Sequence, residues 1–272
     1  TADGSYVGVL RALLSSQHFH SQLHEQALQV LEDSDQDGVP DGIEFVDAMD
    51  MQSQDNTLLD NDALFVKQSY RDLTDAEVFS TSELNSAVSE VENKGRGQWL
   101  VSLLDNEGLE SLEPVIRLYF AVFLRAPDLV GLQYHQGNYD RGIALEVIAN
   151  SFAQSGEFET RYGSLTNREF VGLVYQNVLK RDADEAGLNY WSSVLGAGVS
   201  RGSMFSGFSE SAESKRINND KVKSIVLAIK LLERMPSGQE LSDGEAAFTN
   251  NDEAYYIETL LNKQDYINRF VE

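Results

Sequence analysis

Two stretches of this chain, 56 residues apart, carry one pattern, so the chain is expected to stack copies of a single unit. "PVIRLYFAVFLRAPDLVGLQYH" begins at Pro114 and "EFVGLVYQNVLKRDADEAGLNYWSSVL" at Glu169. The shift brings Tyr119 onto Tyr175, Arg125 onto Arg181 and Asp128 onto Asp184. It also brings Gly131 onto Gly187, Leu132 onto Leu188 and Tyr134 onto Tyr190. Weaker copies flank the pair, "ALFVKQSYRDL" from Ala63 and "IVLAIKLLERMPSGQELSDGE" from Ile225. The anchors Tyr70, Tyr119, Tyr175 and Ala228 are separated by 49, 56 and 53 residues. A second series, Trp99, Ile148, Met204 and Ile257, has the same offsets, and Leu103, Phe152, Phe208 and Leu261 follow one helical turn later. Four units of about 50 residues are expected, at approximately 61–112, 113–167, 168–218 and 219–272. The first lacks the "AGLxYW" stretch, and the fourth has Asp243 and Gly244 where Tyr190 and Trp191 stand. Degenerate end copies are what solvent-facing caps require.

Each unit reads as helices. Phe170, Val171, Val174, Tyr175, Val178 and Leu179 recur at the 3.6-residue period and are expected in the core. Asp184 is placed to cap a helix carrying Leu188, Trp191, Val194 and Leu195, which ends at the Gly196–Gly198 break. Ser200 is placed to cap a third, with Met204, Phe205 and Phe208 inward. "TDAE" from Thr74, "TNRE" from Thr166 and "SGQE" from Ser237 fit the capping box. No stretch alternates as a strand would. The expected fold class is all-α: tandem helical repeats behind an N-terminal helical segment, residues 1–60.

On these residues the chain resembles the domain-of-unknown-function 4214 family. The resemblance is close from Glu169 to Lys215, good from Pro114 to Phe158 and partial on either side. It implies a helical architecture similar to phycobilisome linker domains, a bacterial secreted or cell-surface setting, and a role in protein–protein assembly. It implies no catalytic residues.

The N-terminal segment holds a different signal, "LEDSDQDGVPDGIEF" from Leu31. A twelve-residue calcium loop takes oxygens at positions one, three, five, seven, nine and twelve, with glycine at six. Counting from Asp33, these positions are Asp33, Asp35, Asp37, Val39 through its carbonyl, Asp41 and Glu44, with Gly38 at six. Hard oxygen ligands suit calcium. A solvated acidic turn accounts for the glycines but not for the six matched positions. His18 to Glu32 reads as a helix before the loop, and Phe45, Val46 and Met49 begin another behind it. Position eight is Pro40, which has no N–H for the strand pairing that joins loops in an EF-hand pair, so a solitary structural clip is expected. The stretch resembles EF-hand loops and the calcium repeats of thrombospondin type 3. Both resemblances imply Asp33, Asp35, Asp37, Asp41 and Glu44 as ligands.

Composition narrows the partners. The formal charge of −23 in 272 residues disfavours nucleic acid and anionic membranes, which need clustered cations. It suits an acidic protein in calcium-rich surroundings, where extracellular calcium modules work. No apolar run is long enough to span a bilayer. The sequence as given has no charged-then-apolar start, so no signal peptide is expected within it, and its start at Thr1 fits a processed form or a fragment. There is no cysteine, which excludes disulfide and thiol chemistry.

Other candidates are weaker. Arg181 with Asp184, and Arg125 with Asp128, read either as a ligand-binding pair or as a helix-corner ion pair plus an N-cap; recurrence favours the corner. His20 and His24 are four apart, the spacing at which two imidazoles share a zinc ion, with His18 nearby. Glu25 does not complete "HExxH", and an exposed polar helix face explains the histidines equally. Trp191, Tyr190 and Tyr134 at helical spacing are expected in the core; exposed, they would form a sugar-binding surface. Of Tyr255 and Tyr256, one should be buried. No "GxSxG" elbow or "GxxxxGK" loop is present. The leading expectation is a non-enzymatic, calcium-binding protein of a bacterial surface or extracellular matrix, engaged in self-assembly or adhesion to a protein partner. A carbohydrate-binding adhesin is the alternative, and an enzyme with dispersed catalytic residues a further one.

Overall fold

The computed structural model describes residues 61–74, 80–106 and 112–269. Among them there is no β-strand, and the all-α class follows. The chain divides into two compact units: Thr1–Tyr70 with Glu77–Asn93 and Ile267–Glu272, and Arg71–Ala76 with Lys94–Tyr266.

In the first unit, α1 (Asp62–Thr74) starts where the Asn61 side chain accepts from the Ala63 and Leu64 amides, at 2.9 and 3.1 Å. Its Phe65 and Val66, counterparts of Phe170 and Val171, are fully buried. α2 (Thr81–Lys94) opens on a reciprocal box: the Glu83 amide donates to Ser80 Oγ, and Glu83 Oε2 accepts from the Ser80 amide. Thr74, expected to open a helix, instead closes α1, and the rest of its pattern lies outside the described residues.

The second unit begins with α3 (Arg96–Asn106). Then come α4 (Leu112–Phe123), α5 (Leu129–Asp140), α6 (Leu145–Phe152) and α7 (Gly156–Tyr162). The order long, long, short returns in α8 (Asn167–Leu179), α9 (Glu185–Gly196) and α10 (Arg201–Ser209). The chain ends with α11 (Ala212–Leu232), α12 (Gly238–Asn250), α13 (Glu253–Leu261) and α14 (Gln264–Asn268). Position 218, where a unit boundary is expected, falls inside α11, one continuous helix of 21 residues. The expected caps are in place: Asp184 and Ser200 accept from the amides of Gly187 and Ser203, and Thr166 and Ser237 form full capping boxes with Glu169 and Glu240.

α4 is the central helix. Every residue of it except Glu113 and Phe120 is buried, the pattern of a helix enclosed on all sides. It packs against α5, α6, α7, α8, α10 and α11. The densest apolar knot lies where α7, α8 and α10 meet. Phe158, Tyr162, Phe170 and Phe205 all touch one another, with centroids 4.9–6.4 Å apart. The Tyr162 hydroxyl donates to the Val122 carbonyl at 2.9 Å, so its one polar atom is satisfied inside the core.

Two short-helix pairings close the unit, α6 on α10 and α3 on α13. They bring together the second anchor series, Ile148 with Met204 and Trp99 with Ile257, all buried. Each pairing contains a glycine at close approach. A Cβ on Gly202 would lie 2.7 Å from the Ala149 carbonyl oxygen, and one on Gly97 would collide with the Ala254 carbonyl oxygen. Gly202→Ala should therefore force the helices apart and cost about 1–3 kcal/mol. Gly207→Ala, on the same helix with nothing within 4 Å of the new carbon, should stabilise by about 0.5–1 kcal/mol through helix propensity. Urea unfolding of both variants checks the sign; a stabilised Gly202→Ala would contradict the close packing.

Candidate functional site

The strongest sequence candidates, Asp33, Asp35, Asp37, Val39, Asp41 and Glu44, and the histidines His18, His20 and His24, lie outside the described residues. Among the described residues no group of three or more His, Asp or Glu side chains is placed to hold a metal ion.

What the described residues do contain is one corner built three times. At the ends of α4, α8 and α11 the chain enters the left-handed region at Leu124, Lys180 and Glu233, with φ of 56°, 56° and 55°. For residues with a Cβ this is strained by about 1 kcal/mol or more, so something else must hold it. In each case the next residue is arginine, and its Nη1 donates to the carbonyl one residue on: Ala126, Asp182 or Met235. Three residues beyond each arginine stands the cap of the following helix: Asp128, Asp184 or Ser237.

The arginine is held by a carboxylate from a later helix. Arg125 forks Glu157 through Nε and Nη2 at 3.1 and 2.9 Å, and Arg181 forks Glu213 at 2.7 and 3.0 Å. Arg234 holds Asp265 at 2.7 Å and Glu240 at 2.8 Å. Arg125 and Arg181 also lie over the rings of Tyr119 and Tyr175, at 5.7 and 5.1 Å. So the expected corner ion pair exists, but not with the cap: Asp128 and Asp184 accept from Gly131 and Gly187, and the ion-pair partner comes from 32 residues on. Glu157 and Glu213 were missed in the sequence; the one signal that marks them is their shared 56-residue offset. With Nε and both Nη atoms engaged, these guanidinium groups act as fasteners rather than ligand-binding arms.

The electrostatics agree. Hydrogen bonds from Arg125 and Arg181 hold Glu157 and Glu213 below their ordinary values. Arg234 does the same to Glu240, further supported by the Ser237 amide and Lys263. Burial, with the nearby Asp128 carboxylate, pushes the Tyr119 phenol up to about 12.

Beneath the corners the aromatic side chains repeat with two changes: Phe123 stands where the later copy has Leu179, and His135 where it has Trp191. Trp191 of α9 meets Phe208 edge-on at 5.4 Å, and His135 of α5 meets Phe152 at 4.7 Å. The residues before them are not in the core: Tyr134 is 65% and Tyr190 62% exposed, correcting the expectation for both. Trp191 is half-buried. α5 and α9 turn these tyrosines outward because Leu132 and Leu195 take the inward positions. Val130, one turn before Tyr134, is also exposed. Leu129–Tyr139 and Ala186–Ser200 contain no charged residue, although 24% of the chain is charged. At the last helices Tyr256 is buried and donates to the Glu240 carbonyl, and Tyr255 is exposed, the division expected.

No curated protein and no solved structure matches the chain at a significant level. Residues 149–218, from the middle of α6 through the Arg181–Glu213 corner to the first third of α11, match the model of a family described as Domain of unknown function (DUF4214).

Proposed function

We propose that the chain is a non-enzymatic, calcium-binding helical scaffold of a bacterial surface or extracellular matrix, assembling with copies of itself or with a protein partner. The observation that carries the contact role is the pair of exposed tyrosines, Tyr134 and Tyr190, at corresponding positions of successive segments and on uncharged stretches. Protein contacts are depleted in charge at their centre and enriched in tyrosine. In a chain of charge −23, uncharged stretches are also where two copies approach with least repulsion. The calcium role rests on the spacing from Asp33 to Glu44. The surface setting rests on the resemblance of that loop and of the repeats to families of such proteins.

Calcium at about 100 times its dissociation constant should stabilise the fold by roughly 2.7 kcal/mol. Thermal unfolding in millimolar calcium and in chelator should show this shift, and Glu44→Gln should abolish it. Sedimentation of the same samples should show calcium-dependent association that the pair Tyr134→Ser and Tyr190→Ser removes. A strict monomer at high concentration in both conditions would rule out self-assembly. The same tyrosines favour a carbohydrate-binding adhesin as a second reading, because exposed aromatic faces stack on sugars. Glycan-array binding lost in the double variant would establish that reading instead.

A further inference from the structure

The aromatic pocket beneath the second-segment corner is filled by a titratable ring, and its counterpart in the third segment is not. His135 packs edge-on against Phe152 at 4.7 Å, Tyr134 at 4.9 Å and Tyr119 at 6.2 Å. Its Nδ1 is buried and has no hydrogen-bond partner. Trp191 sits at the matching position and repeats the geometry: 81° to Tyr190 against 82° for His135 to Tyr134. The position thus takes a flat neutral ring in both segments; His135 is half-buried like Trp191, with its Nδ1 on the covered side. A proton added to the ring would place a charge where burial strips its water, with an N–H at Nδ1 that has no acceptor.

We propose that His135 is an acid-sensitive latch: protonation of its ring releases α5 from α4 and α6, whereas α9, latched by Trp191, does not respond. The facing groups are few. α4 contributes the Tyr119 phenol, α6 the uncharged Phe152 ring, and α5 itself Tyr134 and the Asp128 carboxylate at its N-cap. Arg125 and Glu157, the other charges of the corner, are paired with each other.

The direction follows from linkage. Burial lowers the affinity of the packed ring for a proton below its ordinary value of 6.5, and Asp128 opposes this only in part. Well above 6.5 the ring is neutral whether packed or released, and its titration has no effect. As pH falls below 6.5 the released form takes up the proton more readily, so release grows until the packed ring itself titrates. Glu157 and Glu213, held below their ordinary values by the corner arginines, respond at lower pH, which leaves a window for the histidine.

The test is hydrogen exchange of the full chain in calcium buffer at pH 7.5 and 5.5, corrected for intrinsic exchange rates. Protection of residues 132–138 should fall severalfold on acidification, and that of 188–194 should not. His135→Phe should remove the response by supplying a neutral ring. His135→Gln should remove it too, and serves should the phenylalanine variant fail to fold. An equal response in both helices, or a response that survives either substitution, would overturn the latch. So would an NMR titration placing the His135 imidazole at or above 6.5.

Discussion

Phe205→Ala is expected to cost about 3–5 kcal/mol, because the ring is fully buried and touches three others at once. Removing it leaves a cavity between α7, α8 and α10 that rings already in contact cannot easily close. The loss should appear in urea unfolding followed by tryptophan fluorescence, since Trp99 and Trp191, the chain's two tryptophans, both lie in this unit. Tyr190→Ala is the control. An exposed side chain away from special features should change stability by no more than about 0.5 kcal/mol. A loss below about 1 kcal/mol for Phe205→Ala would mean that the four-ring knot does not anchor the unit.

Breaking the buried ion pair of α4 should cost a similar amount for another reason. Arg117 is 6% exposed, and its Nε and Nη2 fork Glu210, 93 residues away, at 2.8 and 2.9 Å. Its Nη1 holds Glu113 at 2.8 Å, and Lys215 adds a second cation to Glu210 at 3.0 Å. Arg117→Met leaves two carboxylates partly buried without their main partner, a loss of about 3–5 kcal/mol. The double variant Arg117→Met, Glu210→Met should recover much of it, because paired charges return little more than their desolvation cost. The pH dependence separates this from simple misfit. Burial raises the proton affinity of Glu210, but hydrogen bonds and charge from Arg117, then Lys215, outweigh it and leave the carboxyl below its ordinary 4.5. A depressed carboxyl contributes stability that is complete above 4.5 and lost as pH falls. The gap between wild type and Arg117→Met should therefore be widest near neutrality and narrow in acid. A gap independent of pH would assign the effect to packing alone.

Much of the helical architecture could be read locally. The caps at Thr166, Asp184, Ser200 and Ser237 were legible because a cap is a bond across three residues, and three residues of sequence specify it. The inward faces of α8 and α10 were legible because the 3.6-residue period sorts side chains onto one side of a helix. Tyr134 and Tyr190 mark the limit of that reasoning. Periodicity says which residues share a face, not whether a neighbouring helix covers it.

The candidate site divides in the same way. Asp33 to Glu44 is a ligand pattern contained within twelve residues, so the proposed calcium clip is a statement the sequence makes by itself. So is the all-α class, whose signals are caps and periods. The tertiary structure decided what holds the corners: left-handed turns at Leu124, Lys180 and Glu233, fastened by carboxylates 31 or 32 residues past each arginine. It also decided that Arg117 is buried against Glu210, that glycines set the contacts of α3 with α13 and α6 with α10, and that His135 fills an aromatic pocket. The physical reason is range. A cap or a helical face depends on residues within one or two turns, whereas a fork, a crossing glycine or a packed ring takes its meaning from whatever the fold brings against it.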